Sequence, residues 1–151
     1  MYEIRVASES DEEFLFDMLY EALFVPPGYD PFPRSVLEKP DIRHYVERFG
    51  TRPGDIGFVA VVGGEPIGAV WVRVIEGYGY VDDETPELTI AVKPDWQGRG
   101  VGSALMDRII AGVPRISLSS DTRNPATGLY ERFGFAPVVE DGTSVTMLRQ
   151  A

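Results

Sequence analysis

At 151 residues, with 44% hydrophobic and 25% charged side chains, the chain has the material for one globular domain with a sizeable core. It has no cysteine, which excludes disulfides, thiolate metal sites and a cysteine nucleophile, and its single histidine, His44, is too little for a His-based triad or multi-His zinc site, so no metal is expected. Fourteen basic against 24 acidic residues give a formal net charge of −10 with no basic run, which argues against a nucleic-acid partner.

Glu3–Ala7 reads as a short strand. Ser10 and Glu13 have capping-box spacing, and Phe14, Leu15, Met18, Leu19, Ala22 and Leu23 follow at helical spacing, so a first helix is expected through about Leu23. Residues 24–54 are irregular, broken by Pro26, Pro27, Pro31, Pro33, Pro40 and Pro53, yet carry Phe24, Tyr29, Phe32, Tyr45 and Phe49. So many aromatics suit a packed loop lining a pocket, with a short helix over Asp41–Phe49 closed by Gly50. From Ile56 the pattern turns to β. Gly57–Val62 and Ile67–Ile75 flank a Gly63-Gly64 hairpin turn, and Leu88–Val92 forms a third strand of the meander, with room to reach back toward Tyr80. A helix is expected over Ser103–Ala111 and a strand over Ile116–Ser120. A second capped helix starts at Asn124-Pro125 and stops at Gly134, and a final hairpin pairs Phe135–Val139 with Val145–Leu148. The order is mixed α/β (α+β) around one central sheet, with no repeat and no domain boundary within 1–151. No apolar run approaches a membrane span of ~18–20 residues, and Met1–Arg5 does not read as a signal peptide, so the expected location is cytoplasmic, without a membrane partner.

The most informative stretch is Gln97-Gly98-Arg99-Gly100-Val101-Gly102, between the strand Leu88–Val92 and the helix that follows. The first N–H groups of a helix lack internal partners and its dipole favours negative charge, while glycines let a bulky phosphate approach the backbone. Three phosphate sites use such loops. Walker A needs a Lys after the glycines, and none follows here. A dinucleotide fingerprint needs its third glycine where Ser103 stands and a loop directly after a strand, whereas Lys93–Trp96 intervene; Asp121 mimics the ribose-binding acid, but an antiparallel meander lies upstream. The third pattern fits. Ala91-Val92-x-Pro94-x-x-Gln97-x-x-Gly100-x-Gly102 resembles the acyl-CoA motif of the GNAT superfamily of N-acyltransferases, and Asn124-Pro125-Ala126 with Leu129–Phe135 resembles that family's second cofactor-contacting segment.

The resemblance implies a single GNAT domain, with a mostly antiparallel central sheet flanked by helices, that transfers an acetyl group from acetyl-CoA to an amine. It implies that Gln97, Gly98, Arg99, Gly100, Val101, Gly102 and Ser103 hold the coenzyme A diphosphate. Ile90 and Val92 would flank the thioester, Asn124 would touch the pantetheine, and Tyr130 would act as general acid toward the thiolate. Glu87, opening the cofactor strand and sharing a face with Thr89, is the leading candidate for a base acting directly or through water. Asp82, Asp83 and Glu84 read as a solvated turn that could also draw in an amine. The expected partner is a small-molecule or peptide amine, and a homodimer stays open. A non-catalytic acyl-CoA sensor of the same fold is the alternative, and the presence of Tyr130 and Glu87 favours the enzyme.

Overall fold

The computed structural model describes residues 2–151. Its strands are β1 (Glu3–Val6), β2 (Ile56–Val62), β3 (Glu65–Arg73), β4 (Glu87–Val92), β5 (Arg115–Asp121), β6 (Ala136–Asp141) and β7 (Ser144–Gln150). Its helices are α1 (Glu12–Ala22), α2 (Pro40–Arg43), α3 (Val101–Gly112) and α4 (Thr127–Arg132). One seven-stranded sheet runs β1-β2-β3-β4-β5-β7-β6, antiparallel everywhere except between β4 and β5.

Alternation along the strands builds two cores. Val70, Val72 and Leu88 face α3, where Val101, Leu105, Met106 and Ile109 are at most 1% exposed. Ala69 and Trp71 face the other way, onto Leu15, Met18 and Leu19 of α1 and onto Tyr45, Val46 and Phe49 of the irregular segment. Each layer thus buries one stripe of a helix against one face of the sheet.

Two local expectations shift. The capping box is Ser8–Asp11, not Ser10–Glu13: the Ser8 N–H donates to Asp11 Oδ2 at 2.8 Å, and a 3₁₀ turn over Glu9–Asp11 precedes α1. Asp11 wins because Arg5 of β1 also grips its carboxylate at 2.8 and 2.9 Å, tying the helix start to the sheet. The expected Asp41–Phe49 helix starts one residue earlier, at Pro40 after a Lys39 cap, and loosens into turns after Arg43. Tertiary bonds replace helical ones there. Arg73, wholly buried, pairs Nε and Nη2 with Asp55 at 3.0 Å, and its Nη1 donates to the carbonyls of His44 and Glu47 at 3.0 and 2.6 Å. Trp71 Nε1 donates to the Tyr45 carbonyl at 2.9 Å. Two side chains of β3 therefore fix the segment that carries Tyr45.

Candidate active site

β4 and β5 meet through one residue pair, Glu87 with Ser117, and then part. Antiparallel neighbours occupy the outer edges of both strands, so from Leu88 onward the inner edge of β4 has backbone groups with no strand partner. A cavity of about 430 Å³ opens at this gap. Glu87, Thr89 and Ile90 of β4 line it, with Leu118, Ser119 and Ser120 of β5, Asn124, Tyr130 and side chains of the irregular segment.

Glu87 is 2% exposed, at the closed end of the gap. The Tyr45 hydroxyl donates to its Oε2 and accepts the Tyr78 N–H at 2.9 Å, while Oε1 is buried without a hydrogen-bond partner. Burial pushes the Glu87 carboxyl up to about 7, against the opposing pull of the Tyr45 hydroxyl and the Gly79 N–H. The same burial, with the neighbouring carboxylate, raises the Tyr45 phenol, so Tyr45 stays protonated and can only donate toward Glu87. Gly77 backs this pair closely: a Cβ there would stand 2.5 Å from the Tyr45 hydroxyl and 2.7 Å from Glu87 Oε1. Gly77→Ala is accordingly expected to cost about 1–3 kcal/mol of overpacking, read as a lowered Tm. Gly112→Ala, with nothing within 4 Å of its added methyl, serves as the neutral control.

Tyr130 lies across the gap on α4, its ring edge-on to Phe135 at 6.2 Å. It is only partly buried by area, yet enclosure pushes its hydroxyl up to about 12. It is therefore protonated at neutral pH, a hydrogen-bond donor and a weaker acid than a free phenol near 10. Asn124 Oδ1 accepts the Ala126 N–H at 2.9 Å and so opens the turn into α4, whose regular part begins only at Thr127.

At the far end of β4 the Gln97 side chain donates to the Val92 carbonyl at 3.0 Å and braces the glycine loop, while Arg99 stacks on Trp96 at 4.9 Å. Gly98 and Gly100 take φ of +74° and +83°, which favour glycine, and Gly100 caps α3. The first helical bond runs from Ala104 N–H to the Gly100 carbonyl at 3.1 Å, so the N–H groups of Val101, Gly102 and Ser103 precede any intrahelical acceptor. The Val101 side chain is core, 1% exposed, and only its backbone faces the loop side. Gly102 is different again. Its φ is helical, and an added Cβ would meet nothing nearer than 3.9 Å, so packing within the chain gives no reason for glycine there.

The structure thus brings Glu87, Ile90, Asn124 and Tyr130 to one cavity and sets residues 97–103 at the other end of β4, outside it. Ile90 and Val92 turn toward the α3 core and Thr89 shares the Glu87 face. Asp82 is occupied by the Glu84 N–H, the Thr85 hydroxyl and Arg115, and Asp83 takes the Tyr80 hydroxyl, so this acidic cluster closes its own turn. His44 does not line the cavity. Tyr45 and Gly77 were not singled out by the sequence as functional; the only signal was an aromatic in a proline-rich segment.

The family model for the acetyltransferase (GNAT) domain matches residues 53–137. An acetyltransferase of Pectobacterium atrosepticum is 30% identical over 142 residues, covering 90% of this chain and 89% of that protein. Among solved structures, the PaiA N-acetyltransferase of Thermoplasma acidophilum in complex with coenzyme A is similar with a TM-score of 0.70 at 18% identity, over 100% of this chain and 99% of that one. The ribosomal-protein-S18-alanine N-acetyltransferase of Escherichia coli gives 0.66 at 20% identity, over 99% and 94%. Among the described residues no helix is long and apolar enough to cross a membrane. With the family model spanning more than half of its length, the chain belongs to the GNAT family of acetyltransferases.

Proposed function

We propose that this protein transfers an acetyl group from acetyl-CoA to an amine by direct attack within the β4–β5 gap. The observation that carries the reading is the unpaired inner edge of β4, running from a buried carboxylate at Glu87 to the glycine loop past Val92. Five residues of strand span roughly 16–17 Å, a distance an extended pantetheine arm can bridge while its amides pair with the free backbone. A coenzyme A diphosphate suits the loop, because Gly102 lacks an internal reason to be glycine and the α3 N-terminus offers free N–H groups. The Thermoplasma relative bound to coenzyme A supports the same ligand class.

Glu87, held by Tyr45, takes the proton of the incoming ammonium, directly or through one water. The amine nitrogen then forms its bond to the thioester carbonyl carbon. As the C–S bond breaks, Tyr130 supplies a hydrogen bond and then its proton to the departing sulfur. A hydroxyl near 12 gives up that proton uphill relative to a thiol near 8.5, so its main contribution is donation to the developing thiolate charge. Asn124 stays committed to its turn and offers only its amide nitrogen toward the arm.

The test is Tyr130→Phe. The ring keeps its contact with Phe135, so acetyl-CoA affinity by titration calorimetry should hold while kcat and kcat/KM, followed by thiol release, fall together by about 10²-fold. A wild-type rate would demote Tyr130 to a packing residue, and absence of thiol release with any amine would leave an acyl-CoA sensor.

A further inference from the structure

We propose that the acceptor is a primary monoamine carried on a compact apolar body, with no second charge near the nitrogen; this rests on the acyltransfer reading above. The acceptor side of the cavity is walled by Leu19, Leu23, Phe24, Phe32, Val36 and Ile42. These side chains come from α1 and the proline-rich segment after it, which adds Lys39, Asp41 and Tyr45 to a mainly apolar wall. Phe32 is 43% exposed at the rim, a large aromatic left without a protein partner to cover it. The volume of about 430 Å³ has to admit the acyl end as well as the acceptor, which suits an acceptor body of about an aromatic ring and a short stem.

Charge decides the number of ammonium groups. The carboxylates on the cavity wall are Asp41, Glu87 and Asp121. Asp121 is held by Arg123 through two bonds of 2.8 and 2.7 Å. Asp41 already accepts the Tyr78 hydroxyl, and Lys39 stands on the same wall. Glu87 is the one carboxylate at the floor, with Oε2 filled by Tyr45 and Oε1 buried against Gly77. One nitrogen can therefore be satisfied at the floor. A second ammonium would meet apolar side chains or the Lys39 ammonium, which already offsets the charge of Asp41. An α-carboxylate on the acceptor would instead be brought toward Glu87, with repulsion between like charges. The net charge of −10 steers polycations to the surface at long range but offers them no second site inside.

The experiment uses the full chain with acetyl-CoA and follows thiol release with 2-phenylethylamine, phenylalanine, spermidine and kanamycin. The expected result is a kcat/KM for 2-phenylethylamine at least about tenfold above each of the others. In Phe32→Asp, an exposed position whose backbone carbonyl alone is used in the fold, by Tyr20, the phenylethylamine value should fall by about tenfold and the spermidine value rise. Coenzyme A affinity by calorimetry should not change in that variant. Equal or better turnover of spermidine or kanamycin, or an unmoved phenylethylamine rate in the variant, overturns the monoamine assignment and leaves acyltransfer standing. Retained coenzyme A binding with no amine of the panel acetylated overturns the assignment as well. Failure to bind coenzyme A overturns the acyltransfer reading instead.

Discussion

Gly102→Ala and Gly102→Glu are expected to separate folding from coenzyme A binding at a single position. Ala exceeds Gly by up to about 0.8–1 kcal/mol in a helix, less in the first turn where Gly102 lies, and the added methyl meets only Val92 at 3.9 Å and Leu129 at 4.0 Å. Gly102→Ala should therefore raise Tm slightly while weakening coenzyme A, because in the proposed site the methyl would stand where the diphosphate approaches the first turn of α3. Gly102→Glu adds a longer side chain and a negative charge at that point and should abolish measurable binding, with the far-UV circular dichroism unchanged. Gly100 is a poorer probe. Its φ of +83° puts backbone strain into any substitution, so loss of binding there would not distinguish ligand from fold. Unchanged calorimetric affinity in Gly102→Glu would remove the loop from the cofactor site.

The part of this design that could be read in the sequence is the part encoded locally. Glycines after an apolar strand, an Asn-Pro helix start and period-two alternation around Glu87 each depend on neighbours a few residues away, and each is recognisable from spacing. The strand–loop–helix order around residues 97–102 follows from them, whereas the mostly antiparallel sheet is what the family resemblance implies. The Tyr45–Glu87 bond joins residues 42 positions apart. It exists because Trp71 and Arg73, two residues apart on β3 and on one face, seize the carbonyls of residues 44, 45 and 47. No local pattern announces that a buried arginine will unravel the end of a short helix and aim a tyrosine at a carboxylate. The same long-range bonds explain why α2 stops at Arg43 and why Ser8 displaces Ser10 as the cap: tertiary partners for Asp11 and for the carbonyls after residue 43 outweigh the helix's own hydrogen bonding. The place of Gly77 against the Tyr45 hydroxyl likewise needs three segments to be assembled first.

Glu87→Gln should move activity and stability in opposite directions, and the pH dependence of each identifies the cause. As the base, Glu87 must be ionised, so the ratio of wild-type to Gln kcat/KM, which cancels the titration of the amine itself, should rise about tenfold per pH unit below 7 and level off above. At the plateau the loss in the Gln variant should lie within about 10²–10⁴-fold. Stability runs the other way. The folded-state value near 7 lies above the ordinary 4.5, so the folded protein binds the extra proton, and the stability this confers is complete below about 4.5 and lost as pH rises through 7. The wild type should lose about 1.4 kcal/mol per pH unit over that window, about 3 kcal/mol in all, and Gln, which cannot ionise, should not. Denaturant titrations at pH 5 and pH 8 should therefore show Gln gaining on the wild type at the higher pH, as expected of a charge kept buried for catalysis. Tyr45→Phe supplies the second handle. Its hydroxyl lowers the carboxyl, so its removal should carry the rising limb of activity above 7 with plateau acetyl-CoA affinity intact, and should change nothing further in the Gln background. A Tyr45→Phe limb that stays in place would mean that the carboxylate setting the rate is not the one Tyr45 holds.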